Sequence, residues 1–230
     1  MRFQRYILNE EVYQSNEIAD ILKKDCKPYF KEVGLDAPFL WRGQHSVTIP
    51  DIEKIVPRKD RRPRNTPINL HKIWDNAFKK KFGWKARSEG VFVGDEFDAV
   101  YYGRVYMFFP IGSYKYVWSE KYEDLTNNFD SETFRYFTRL SKDSIEGYLE
   151  DKFRNQQLNY NFDSDAFIKW KRENVEKIHK EMMKKAEGVV NDYTDKNLKS
   201  SLKNKSEVSF LCKSYYLVNR MYEEELKKIL

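Results

Sequence analysis

The sequence predicts an α+β fold, and three observations predict it. Residues 66–83, TPINLHKIWDNAFKKKFG, carry a helix signal with its own start and stop. Runs rich in aromatic and β-branched residues within 91–118 and at 206–218 read as strands. A mainly helical block from 129 to about 190 separates the two strand regions. The order is therefore strand, helix, strand, long helical insertion, strand. A single domain over 1–230, with the insertion at about 129–188, accommodates it.

Taken from the N-terminus, NEEVYQSNEIADILKKDCKPYF opens on Asn9 as a cap and spaces Val12, Ile18, Ile21 and Leu22 as on a helix, until Pro28 interrupts it. Residues 39–43, FLWRG, form a short strand. Residues 50–66 hold three prolines among many charges and read as loop. In the helix that follows, Thr66 caps, Pro67 takes the first position and Gly83 stops it. Leu70, Ile73, Trp74, Ala77 and Phe78 line one face as core. GVFVGDEFDAVYYGRVYMFFPIG then reads as strand, short helix, strand, with 104–109 apolar enough to be central, and YKYVWS adds a short strand. In the helical block Phe167, Trp170, Ile178 and Met182 fit one buried stripe, and Gly188 ends it. SEVSFLCKSYYLV, 206–218, reads as one long strand before a short charged helix, RMYEEELKKIL.

Hydrophobic residues make up 40 % of the chain, with 16 Tyr, 16 Phe and 5 Trp, which argues against disorder over most of its length. The net charge of +6 is concentrated: residues 51–87 hold twelve Lys/Arg against four Asp/Glu. Such a segment suits an anionic partner, or is a solvated loop. Cys26 and Cys212 lack metal-ligand spacing and read as reduced, buried thiols, and His45, His71 and His179 are too scattered for a zinc site. The opening MRFQRYILNEE has no signal-peptide core and no run reaches membrane-spanning length, so the expectation is a soluble, cytoplasmic chain.

Two placements suggest chemistry. In DAPFLWRGQHS an apolar run drives into Arg42 and Gly43. An arginine at a strand end either grips an anion, with glycine letting the ligand approach the backbone, or closes an edge strand at the surface. Glu207 heads an otherwise apolar strand, where a carboxylate is costly unless it has a partner or a job.

FLWRG, GVFVGDEFDAVYYG and SEVSFLCKSYYLV together resemble, in order and spacing, the three motif strands of the ADP-ribosyltransferase fold. The resemblance covers roughly 38–118 and 190–218. It implies a split β-sheet core and a mono-ADP-ribosyltransferase that takes NAD as co-substrate and needs no metal. By that likeness Arg42 holds the NAD diphosphate or ribose and Gly43 bonds the nicotinamide amide. The Ser-Thr-Ser run of arginine-type members is missing, and Ser88 is its nearest substitute. Phe92 lines the pocket and Tyr101 is the ring that stacks on nicotinamide; both also fit a plain core role. Glu207 binds the ribose 2′-hydroxyl and stabilises an oxocarbenium-like sugar. Lys205 stands where arginine-modifying members carry Glu or Gln, which argues against an arginine acceptor.

With Lys203, Arg61 and Arg62, Lys205 is expected to contact a macromolecular acceptor, RNA or single-stranded DNA ahead of protein. The biological setting the likeness implies is a toxin, phage-defence or phage-effector protein, with an antitoxin or inhibitor as a further partner. Two other readings stay open. One is a non-catalytic binding module on the same fold. The other is a metal-dependent nuclease using Asp95, Glu96 and Asp98, although carboxylates so closely spaced commonly cap a turn.

Overall fold

The computed structural model describes residues 13–45, 49, 51–58, 61, 68–122, 177, 180 and 183–230. They form an α+β structure with two antiparallel sheets. In the four-stranded sheet β1 (Leu40–Gln44) pairs with β4 (Arg104–Pro110), β4 with β7 (Tyr215–Asn219), and β7 with β2 (Ile52–Ile55). In the three-stranded sheet β6 (Val208–Cys212) lies between β3 (Val91–Val93) and β5 (Tyr114–Trp118).

The long strand expected at 206–218 is two strands in different sheets. Exposed Lys213 and buried Ser214 turn the corner between β6 and β7. The chain also crosses between sheets from β4 to β5, and Ile111 N–H donates to Ser214 C=O at 3.0 Å, tying the two corners together. Both halves of the run are largely buried, so its hydrophobic pattern shows no break where the sheet changes. Around this junction Phe108 packs its ring 5.1 Å from Phe210 and 5.0 Å from Tyr215, in the core that both sheets share.

The stretch expected as loop at 50–66 contains β2, an edge strand whose exposed Glu53 and Lys54 alternate poorly with Ile52 and Ile55. Pro57 follows it closely, as suits an edge that pairs on one side. The helical run breaks at Cys26: α1 (Ser15–Asp25) ends ahead of Pro28, which sits in the first turn of α2 (Lys27–Val33), where its missing N–H is not needed. Gln14 precedes α1 and donates its N–H to Glu17 Oε2 at 2.8 Å; Asn9 lies outside the described residues.

Helix α3 (Ile68–Phe82) buries Leu70, Ile73, Trp74, Ala77 and Phe78 in a second core with Trp84, Ala86, Val117, Val190 and Tyr193. Gly83, at φ +81°, ends it in the left-handed conformation that glycine adopts at little cost. Thr66, Pro67 and most of the helical insertion, with Phe167, Trp170, Ile178 and Met182, lie outside the described residues. Residues 183–190 are helical, so this helix runs through Gly188 rather than ending there. The remaining helices are α4 (Ala86–Glu89), α5 (Glu96–Val100), α6 (Leu198–Lys203) and α7 (Glu223–Ile229). Among the described residues no helix is long and apolar enough to cross a membrane.

Buried Asp51, just before β2, ties the N-terminal side of the structure to the start of α7. Tyr222 Oη donates to its Oδ1 at 2.6 Å and Tyr13 N–H to its Oδ2 at 3.3 Å. Burial, then this bond, push the Tyr222 phenol up to about 12. Tyr222→Phe strips a buried carboxylate of its shorter partner. We expect a loss of about 1–3 kcal/mol, seen as a lower urea midpoint at unchanged slope.

Candidate functional site

Among the described residues one isolated bridge joins strands of the two sheets. Trp41 of β1 donates its N–H to Gly94 C=O at 2.9 Å, and Gly94 N–H donates back to Trp41 C=O at 3.0 Å. Gly94 follows β3, whose last residue Val93 pairs with Val208, so Glu207 stands one step further along, level with Gly94. Arg42 is the residue after Trp41. Sheet pairing therefore brings Arg42, Gly94 and Glu207 to one end of β3, although the sequence scatters them.

Arg42 Nη1 donates to the Phe92 carbonyl at 2.7 Å, and its guanidinium lies 6.0 Å from the centre of the Tyr215 ring. Its Nε is buried and has no protein partner among the described residues. Phe92 carries two more arginines on its ring, Arg61 at 4.9 Å and Arg87 at 5.0 Å. Burial, then repulsion from Arg42 and Arg87, pull the Arg61 pKa down to about 10, against attraction from Glu207 and Tyr215; Arg61 stays charged at neutral pH. Its Nη1 is likewise buried without a partner among the described residues, while its main-chain N–H donates to Ser88 C=O at 3.3 Å.

Beneath the arginines lies a buried polar knot. Asp75 Oδ1 accepts the main-chain N–H groups of Arg87 at 3.0 Å and Ser88 at 3.1 Å, and Oδ2 accepts the Ser88 hydroxyl. His71, one turn earlier on α3, places Nε2 2.8 Å from Ser88 Oγ and 3.4 Å from Asp75 Oδ2. A serine hydroxyl has one proton, and its donation to Asp75 makes His71 Nε2 the donor toward Ser88. That order is the reverse of a histidine that activates a serine nucleophile. The knot instead fixes the start of α4, and with it Arg87.

Several expected site residues sit differently. Ser88 spends its hydroxyl on Asp75 and His71 rather than presenting it to a ligand. Tyr101, expected to stack on nicotinamide, is 71 % exposed after α5, edge-on to Phe97. Helix α5 is only five residues long and its buried residue is Ala99, so the ring lands on the outer side. Arg61, expected on the acceptor surface, is mostly enclosed with Arg42 and Arg87, because Phe92 gives its guanidinium a platform. Arg62 lies outside the described residues. Lys203, the last residue of α6, and Lys205, on the turn that leads into Glu207 with a left-handed φ of +56°, are exposed.

Gly43 is required for packing: a Cβ there would fall onto the Ala99 carbonyl oxygen and 2.6 Å from Tyr102 Cβ. Trp41 turns its N–H and C=O toward Gly94, so strand alternation points those of Gly43, two residues on, to the same side, away from β4. Asp95 caps α5 by accepting Asp98 N–H at 2.9 Å, and Glu96 pairs with Arg220 at 2.6 Å. Among the described residues no group of His, Cys, Asp and Glu is arranged to hold a metal ion. Burial pushes both cysteine thiols up to about 12. A groove of about 430 Å³ between α1 and α7, lined by Tyr13, Gln14, Tyr222 and Glu225, contains none of these residues.

The sequence reading did not single out Arg87, Asp75 or His71 for the site. A readable signal was there: His71 and Asp75 stand four apart around Trp74 on the apolar stripe of α3, where polar groups need each other.

Burial, outweighing the pull of Asp75 and helped by Arg87, Arg61 and Lys85, holds the His71 pKa below the ordinary 6.5. Below pH 6.5 the unfolded chain takes up a proton that native His71 resists. Its contribution to stability is therefore complete above 6.5 and is lost as the pH falls from there toward the lower folded value. His71→Gln should flatten the pH dependence of the urea midpoint between 6.5 and 5; a slope equal to wild type would show that His71 is not held neutral.

No protein-family model, curated protein or solved structure matches the chain, which leaves the arrangement of Arg42, Arg61, Arg87, Phe92 and Glu207 as the basis for assigning a chemistry.

Proposed function

We propose that the protein is a mono-ADP-ribosyltransferase with an ADP-ribosyltransferase-type split sheet, transferring ADP-ribose from NAD to a macromolecular acceptor. The observation that carries the reading is the convergence at the Trp41–Gly94 bridge: the Arg-Gly pair of β1, Phe92 of β3 and Glu207 at the head of β6 share one end of the molecule. The donor set fits a dinucleotide, since Arg42 Nε and Arg61 Nη1 are buried donors that an anionic oxygen would satisfy.

NAD supplies a ribose–nicotinamide bond whose breakage leaves a sugar with oxocarbenium character. Glu207 places a carboxylate where such positive charge is stabilised, an interaction stronger in the transition state than in the ground state. Arg42 holds the anionic part of the molecule with a planar fork, and the outward N–H and C=O of Gly43 match the acceptor and donor of a carboxamide. On the acceptor side the reading favours RNA or single-stranded DNA, because exposed Lys203 and Lys205 lead directly to Glu207. The same reading makes the protein an intracellular toxin, phage-defence or phage-effector enzyme countered by an antitoxin or inhibitor.

One observation favours a second reading, a non-catalytic module that binds NAD without cleaving it: Ser88 is internally engaged and Tyr101 is turned outward, so two expected pocket residues are missing. Glu207→Gln separates the two. It should bind NAD close to normally and lose about 100-fold or more in nicotinamide release, since the charge acts in the transition state. Wild-type protein that binds NAD and releases no nicotinamide would favour the module.

Arg42→Lys keeps the charge but loses the fork, and calorimetry should show NAD binding weakened by about 10-fold or more. Equal affinity would make Arg42 a structural residue. Labelled NAD with cell extract should put label on RNA or DNA; label found on protein alone would overturn the acceptor assignment.

A further inference from the structure

We infer that Arg61 and Arg87, with Arg42, form a clamp for the diphosphate group of a small ligand, built around Phe92. The inference deepens the NAD reading, since a dinucleotide carries that group, but it has its own test.

Three guanidiniums gather at one residue. Arg42 bonds the Phe92 carbonyl, and Arg61 and Arg87 both pack on the Phe92 ring. Arg42 and Arg87 repel Arg61, and Glu207 is the carboxylate that attracts it. Like charges held this closely disfavour the folded chain unless something negative joins them. Two buried donors, Arg42 Nε and Arg61 Nη1, lack any protein acceptor among the described residues. An anion that reaches both would remove the repulsion and supply the missing acceptors.

A diphosphate diester suits this set. It carries two negative charges, against three arginines partly offset by Glu207 and by Asp75 beneath them, and it offers paired oxygens to planar forks. The main chain that carries Arg61 and Arg87 is also held in place, which favours preorganised binding. Arg61 N–H is bonded to Ser88 C=O, and Asp75 holds the main-chain N–H groups of Arg87 and Ser88. A polymer backbone is the poorer fit, because Arg61 is mostly buried while Lys203 and Lys205 stand in solvent.

The test is calorimetry on the full chain with inorganic pyrophosphate, ADP and a single-stranded oligothymidine, alongside thermal melting without ligand. Pyrophosphate and ADP should bind wild type, and R61Q and R87Q should each weaken that binding by about 10-fold or more. Ligand-free R61Q should melt at or above wild type, because a repelled charge has gone; an arginine with a purely structural role would lower it. If a glutamine variant fails to fold, R61K or R87K decides, since lysine keeps the charge without the fork: affinity equal to wild type then overturns the clamp, and a comparable weakening supports it.

No pyrophosphate binding by wild type, unchanged affinity in the variants, or Arg61-dependent binding of the oligonucleotide alone would each overturn the inference. Arginine-dependent pyrophosphate binding by a protein that leaves NAD intact would uphold the clamp and remove the transferase reading. NAD turnover with a KM unmoved by R61Q and R87Q would do the reverse.

Discussion

Two hydrogen bonds between Trp41 and Gly94 hold the site together. They are the point at which β1 of one sheet meets the end of β3 in the other, and the site is built on the two sides of that contact. On one side Arg42 turns its guanidinium to the Phe92 carbonyl; on the other, β3 hands its register to β6 and sets Glu207 level with Gly94. Gly43 extends the constraint, since its missing side chain lets the end of α5 close over β1. A shift of either strand by one residue would turn Arg42 or Phe92 to the opposite face and dissolve the cluster.

The sheets can meet in this way because the chain changes sheet twice at one place. The β4–β5 and β6–β7 corners are bonded through Ile111 and Ser214, and the rings of Phe108, Phe210 and Tyr215 fill the space behind them. This packing makes the junction rigid, so the polar groups at the bridge rest on a close-packed apolar base. Tyr215 belongs to both: it packs against Phe108 and stands 6.0 Å from the Arg42 guanidinium.

The charged cluster works against that stability. Buried donors without acceptors among the described residues cost about 1–3 kcal/mol each, and repulsion among the arginines adds to it. What offsets this locally is the Asp75–Ser88–His71 knot, in which one carboxylate satisfies two main-chain N–H groups at the start of α4 and a hydroxyl besides. Because burial keeps His71 neutral, the knot adds no further positive charge beneath the arginines. Folding free energy is thus spent on holding cations close together, the pattern on which the proposed binding role rests.

The sequence by itself determined the elements whose signals are local. The α3 stripe from Leu70 to Phe78, its stop at Gly83 and the buried run of β4 follow from spacings within one or two turns or one strand. Arg42 and Glu207 stood out as candidate site residues because a charge at the end of an apolar run is conspicuous in one dimension. Tertiary structure alone decided what those residues face. The division of 206–218 between two sheets is invisible to a pattern that stays buried on both sides of the corner, and β2 exists because β7 offers it an edge. Arg42 reaches the Phe92 carbonyl across fifty residues of sequence, and Arg61, expected at an acceptor surface, and Arg87, not singled out at all, come to the ring of the same residue. Side-chain spacing encodes which face of an element is apolar, but which charges end up together depends on long-range strand pairing, and no local period carries that information.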